Sequence, residues 1–234
     1  MTSRRYLRAW RGAMVSASVL CAVCFLMESD VMAADAHRES ERAVVPMESG
    51  AHVLVLSRIR HYLNSLHQFT ARFSQFTEDG GFARGRISVW RPGRMRVDYD
   101  PPVSLEIIAD GRHVFFHDRA RDTVNSTSLG NFPAGFLLER YIDFGGRFDV
   151  TAVEVSQNDI LVNVLDKDHR DIGDIELLFH DRPLRLAQWV IRDMRGASTQ
   201  VRLSDIRKVN SFDRDTFQFR RPAQSPFSPS RSRR

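Results

Sequence analysis

Ser88 to Pro102 reads SVWRPGRMRVDYDPP. Before Arg91-Pro92, Ile87 and Val89 alternate with Arg86 and Ser88; after it, Met95, Val97 and Tyr99 oppose Arg94, Arg96 and Asp98. A period of two belongs to a strand with one buried face. The Arg-Pro pair, with Gly93 behind it, breaks the alternation and marks a turn. Two half-buried strands therefore meet here, and a fixed cation, Arg91, stands at the break.

The same pattern extends in both directions. Upstream, Phe69, Ala71 and Phe73 share one face of a strand, with Thr70, Arg72 and Ser74 on the other, and the turn Glu78-Asp79-Gly80-Gly81 leads into Phe82 to Trp90. Downstream, runs at Leu105 to Ala109 and Val114 to His117 are joined by Asp110-Gly111, a hairpin pair. Further strands are expected over Phe148–Ser156, Ile160–Asp166, Asp174–Phe179, Leu186–Arg192 and Thr199–Val209. Short strands joined by tight turns make a meandering antiparallel sheet. No period of 20 to 50 residues repeats, which argues against a propeller or solenoid.

Helical spacing occurs in two places. Val53, Leu56, Ile59, Leu63 and Leu66 recur every three or four residues and predict a helix. Asn131 to Glu139, NFPAGFLLE, has a cap-like Asn, an early Pro and an apolar cluster, which predicts a short second helix. Ten or more strands with so few helices give a mainly β chain (α+β). Its sheet must curl toward a barrel, with the helices on its concave side or in its mouth.

The ends differ from this body. Residues 1–33 run from Arg4, Arg5, Arg8 and Arg11 through about 16 apolar residues (Gly12 to Met27) to Val31-Met32-Ala33, the order of a cleaved signal peptide. The apolar run is shorter than the roughly 20 residues of a spanning helix. Both cysteines, Cys21 and Cys24, form a C-x-x-C inside that run, so the exported chain is expected to need no disulfide. Residues 34–46 read as a charged linker, 47–221 as one domain, and 222–234 as a disordered basic tail. The formal charge of +5 comes mostly from the ends. The near-neutral body argues against a nucleic-acid groove.

Motifs for catalysis are missing. No G-x-S-x-G elbow, H-E-x-x-H or phosphate-cradling glycine loop occurs. His113 and His117 would stand about 13 Å apart along a strand, too far to share an ion. Asp166 to Asp171, DKDHRD, begins like a calcium loop but has Arg170 at a ligand position and Asp171 where glycine is required. Asp98 and Asp100 read as part of a surface charge ladder. The expectation is a binder with no cofactor and no metal, not an enzyme.

The chain resembles the LolA family of periplasmic outer-membrane lipoprotein carriers. The resemblance rests on FTARFSQ (Phe69 to Gln75), RGRISVWRPGRMRVDYDPP (Arg84 to Pro102), IIADGRHVFFHD (Ile107 to Asp118), the FPAGFLL segment, and LRLAQWVIRDMRGASTQVRLSDI followed by FQFRRP, in order. It implies an incomplete, twisted antiparallel β-barrel with lid helices over an apolar cavity. It also implies that Arg91 is a latch, bonding carbonyls of a lid helix. The residues alone leave open a surface arginine paired with Asp98 or Asp118. Val97 stands where some members carry a tryptophan, and the basic tail is an extension.

The resemblance further implies a monomeric periplasmic carrier that takes lipoproteins from an inner-membrane ABC-type release complex to an outer-membrane receptor or acceptor membrane. Two alternatives keep the fold, a domain that senses lipids or lipoproteins and a carrier of another envelope lipid. The expected acyl-cavity wall is Leu63, Phe69, Phe73, Ile87, Val89, Val97, Tyr99, Ile107, Phe115, Phe136 and Leu137.

Overall fold

The computed structural model describes residues 49–170 and 173–220. Helix α1 (Ser49–Ser65) leads into β1 (Gln68–Thr77), β2 (Phe82–Trp90), β3 (Arg94–Tyr99), β4 (Leu105–Asp110), β5 (His113–Asp118) and β6 (Thr123–Ser128). After a 3-10 turn at Pro133–Leu138 come β7 (Phe148–Val155), β8 (Asp159–Asp166), β9 (Asp174–Asp181), β10 (Leu184–Arg192) and β11 (Ser198–Lys208). The strands pair antiparallel in one sheet, in the order β6-β5-β4-β3-β2-β1-β11-β10-β9-β8-β7. Each half is a meander, and the halves meet where β1 pairs with β11. At the outer edges β6 and β7 each have one partner, so the barrel is open.

Inward side chains from both halves share one core. Phe69 and Phe73 of β1 and Ile87 and Val89 of β2 join Val162 of β8, Phe179 of β9 and Trp189 of β10. The sheet therefore wraps around this core. Ile59 and Leu63 of α1 and Phe136 and Leu137 of the 3-10 turn cover it from the concave side. Outward positions between the core residues are mostly polar, as a sheet with one wet face requires.

A second, smaller apolar cluster lies on the convex side. Beyond β11, the chain carries Phe217 against Trp90 (6.0 Å between rings) and Phe212 (5.1 Å), and Phe219 stacks on Phe115 (4.8 Å, 13°). Ile108, on the outer side of β4, is buried as well. The FQF segment thus straps the outside of β2–β5.

Three details depart from the sequence reading. Val53 is 65% exposed. Six residues before Ile59, at 100° per residue, it lies about 120° off the buried face, and Val55 takes the inward place. Strand β6, TVNSTS, was not expected. As a mostly exposed edge strand it has no apolar face to reveal it. The segment read as a short helix is a 3-10 turn, with Gly135 N–H donating to Phe132 O at 2.8 Å. Six residues are too few to repay the nucleation of an isolated α-helix. The expected leader, linker and basic tail, with Cys21 and Cys24, lie outside the described residues. Among the described residues, no helix is long and apolar enough to cross a membrane.

Candidate functional site

β2 ends at Trp90 and β3 begins at Arg94, so Arg91 opens the connecting turn. Its own N–H donates to His67 O at 2.8 Å, which pins the turn to the link between α1 and β1. The side chain runs inward and is 4% exposed. Nε donates to Leu137 O at 2.6 Å and a terminal nitrogen donates to Leu63 O at 2.8 Å. Leu63 lies in the last turn of α1, where carbonyls lack helical partners and carry partial negative charge. Leu137 belongs to the 3-10 turn. One guanidinium thus ties together the two elements that cover the core.

The second terminal nitrogen of Arg91 is buried and has no partner among the described residues. Burial pushes the guanidinium down to about 10, against an opposing pull from the Glu139 carboxylate. It stays charged at neutral pH, under strain from lost hydration. Asp98 and Asp118 are engaged elsewhere, Asp98 by Arg96 and Arg119, Asp118 by Ser104 and Arg121. The structure therefore places Arg91 inside, away from both.

Neighbouring contacts reinforce the closure. Gly93 N–H donates to Leu138 O at 2.8 Å. Gly93 has φ +78°, and a Cβ there would come within 2.9 Å of Gly111 Cα, so glycine lets the β2–β3 and β4–β5 turns touch. From α1, Asn64 Nδ2 donates to Ile142 O and Asn64 Oδ1 accepts from Ile142 N–H, both at 2.8 Å. Glu139 pairs with Arg147, which also holds the buried Asp166. Burial alone would raise the Asp166 carboxyl, but hydrogen bonds from Arg147 hold it below its usual range.

A comparison with family models matches residues 64–220 to the outer membrane lipoprotein carrier protein LolA. The chain belongs to the LolA family. LolA-family relatives include an outer-membrane lipoprotein carrier protein of Nitrosomonas europaea, 27% identical over 192 residues that cover 76% of this chain and 88% of the relative. One from Halorhodospira halophila is 28% identical over 176 residues, covering 71% and 82%. Among solved structures, a LolA superfamily protein from Nitrosomonas europaea is similar at a TM-score of 0.44 and 12% identity, covering 70% of this chain and 97% of that one.

Within this LolA-family fold, Leu63, Phe69, Phe73, Ile87, Val89, Val97, Ile107, Phe136 and Leu137 are all buried in the concave core, and Tyr99 packs against it. Phe115 is different. The inward residues of β5 are Val114 and Phe116, and Phe115 points to the convex side, where Phe219 covers it. Strand alternation makes the two placements exclusive, and Phe116 takes the inward place assigned to Phe115. Gln75, bonded by Tyr99, Asn64, bonded to Ile142, and Trp189, edge-on to Phe136, lie beside these residues and were not singled out in the sequence. For Gln75 a signal existed, since it follows Phe69, Ala71 and Phe73 in phase.

Asp100 pairs with Arg72 at 2.5 Å. His117 is buried on the convex side between Glu106 and Asp122, 3.5 Å from each. No group of three or more His, Cys, Asp or Glu is placed to hold a metal among the described residues. The calcium-like run falls partly outside them, since 171–172 are not described.

Proposed function

We propose that this chain is a periplasmic carrier that encloses the acyl chains of lipoproteins released from the inner membrane and delivers them to the outer membrane. The observation that carries the reading is the closure at Arg91. A charged side chain is buried at the edge of an apolar interior, and its bonds go to main-chain carbonyls of the two covering elements. Such a bond holds a cover without adding polar surface to the wall beneath it.

The physical demand on a carrier is plain. Three acyl chains hold roughly 45 methylenes, and at about 0.8 kcal/mol each their exposure to water would be prohibitive. The protein must replace the membrane with an apolar wall of its own, yet release the cargo later. Two states of similar free energy, covers down when empty and covers lifted when loaded, meet both needs. In this structure both covers are held down through Arg91, which suits the empty state. The inner-membrane ABC-type release complex would supply the cargo, and a receptor or the acceptor membrane would take it.

The test is to purify the protein from the periplasm and identify what leaves with it by native mass spectrometry. Triacylated polypeptides are expected. Phospholipid or another envelope lipid alone would overturn the lipoprotein assignment while keeping the carrier.

A further inference from the structure

From β1 to β3 the concave wall is apolar except for one pair. Gln75 continues the inward series of Phe69, Ala71 and Phe73 on β1 and is 7% exposed. Tyr99 continues Met95 and Val97 on β3. These two strands are not neighbours, because β2 runs between them. The β2 residue in the gap is Gly85, which pairs with Phe73 on one side and Tyr99 on the other. A Cβ at Gly85 would overlap Asp98 O and come within 2.8 Å of Phe73 Cε1. With no side chain there, the Tyr99 ring crosses β2. It meets the Phe73 ring edge-on (5.2 Å, 88°), and its hydroxyl donates to Gln75 Oε1 at 2.7 Å.

That bond fixes the amide. With Oε1 occupied by the phenol, the two Nε2 protons of Gln75 have no protein acceptor among the described residues. The fold does not need this polarity. Apolar side chains of the same shapes at both positions would fill the space at little or no cost in stability. The pair lies at the end of the sheet away from Arg91, since β1 ends two residues after Gln75 and β3 ends at Tyr99. From Gln75 back to Phe69 the strand covers about 20 Å. With the covers lifted, a long acyl chain lying along β1 would span this length, its head at Gln75 and its tail toward the Arg91 turn.

An acyl chain differs from a plain hydrocarbon in one group, the ester or amide carbonyl at its head, which accepts hydrogen bonds. Resting on the carrier reading, we propose that Gln75, held in place by Tyr99, donates through Nε2 to an acyl carbonyl of the lipoprotein cargo and so sets how deeply the chains seat. Tyr99 acts only through Gln75 and is a positioning residue.

The experiment uses the full exported chain and two synthetic lipopeptides, one with ester-linked diacylglyceryl chains and one with the matching ether-linked chains. Titration calorimetry should show wild type binding the ester form tighter by about 2- to 12-fold, the range for one net hydrogen bond. The double variant Gln75→Leu with Tyr99→Phe should keep its melting temperature and bind both forms alike. If it does not fold, Tyr99→Phe alone removes a single oxygen and should lose part of the preference. Equal binding of the two forms by wild type, or a preference that survives in the variants, overturns the proposal and leaves the carrier intact. Wild type that binds neither form overturns both. Short-chain phosphatidylglycerol in ester and ether forms offers the same carbonyl from another source. A preference seen there and not with the lipopeptides would reassign the site to phospholipid.

Discussion

Leucine at position 91 would delete the bonds from Arg91 to Leu137 O and Leu63 O, 2.6 and 2.8 Å long, and leave both carbonyls buried without that donor. A hydrogen bond from a charged donor is worth about 1.5–3 kcal/mol net. Two such bonds do not add in full. The guanidinium in the closed state has lost hydration, which its lowered pKa of about 10 records, and opening restores that water. The loss on Arg91→Leu is therefore nearer one bond than two. A change of about 1.5–3 kcal/mol multiplies the weight of the open state by about 10 to 150. A protein biased in this way should take up a lipopeptide as well as wild type or better, and give it up more slowly to acceptor vesicles, because closing no longer helps expulsion. Arg91→Lys should fall between, since one ammonium keeps the charge but not the planar fork that spans two carbonyls. Loading and transfer are followed separately with a fluorescent lipopeptide. Transfer by Arg91→Leu as fast as wild type, or faster, would refute the latch.

Other outcomes follow from the packing and the charges. Phe136→Ala, which removes the ring set edge-on to Trp189 at 6.1 Å, should cost about 3–5 kcal/mol in urea unfolding and weaken binding of acyl probes. Gly85→Ala should destabilise by about 1–3 kcal/mol or more, because the new methyl meets the Asp98 carbonyl on a neighbouring strand; an unchanged urea midpoint would contradict this. Asp118 is held down to about 2 by hydrogen bonds from Ser104 and Arg121. Its contribution is present above the unfolded carboxyl value near 4 and is lost as pH falls through about 2. Asp118→Asn should flatten the fall in melting temperature over that window, and an unaltered slope would count against the assignment.

The sheet was legible because most strands have one dry face, and alternation reports that face directly. Where a strand has no dry face the signal vanishes, as with TVNSTS at the edge. Where a strand is dry on both sides the signal is ambiguous, and this misplaced Phe115. VFF offers an aromatic residue to each face, and only the strap from Phe219 explains why the convex one is covered. The position of Arg91 in a turn could be read from Arg-Pro, but its burial could not, since that depends on carbonyls 28 and 46 residues away. Gln75 stood in an apolar series as an out-of-place amide, yet its role needs Gly85 and Tyr99, which come together only through register.

The pairing of β1 with β11 has a consequence for how the molecule is made. Each meander can zip up from local hairpins, but the central seam waits for a strand near the end of the described chain. Contacts this distant in sequence make folding slow. Until β11 arrives, β1 is a ten-residue free edge rich in phenylalanine, a template for intermolecular pairing. A chain cut short before Ser198 would carry that edge permanently and should aggregate rather than fold to a smaller barrel.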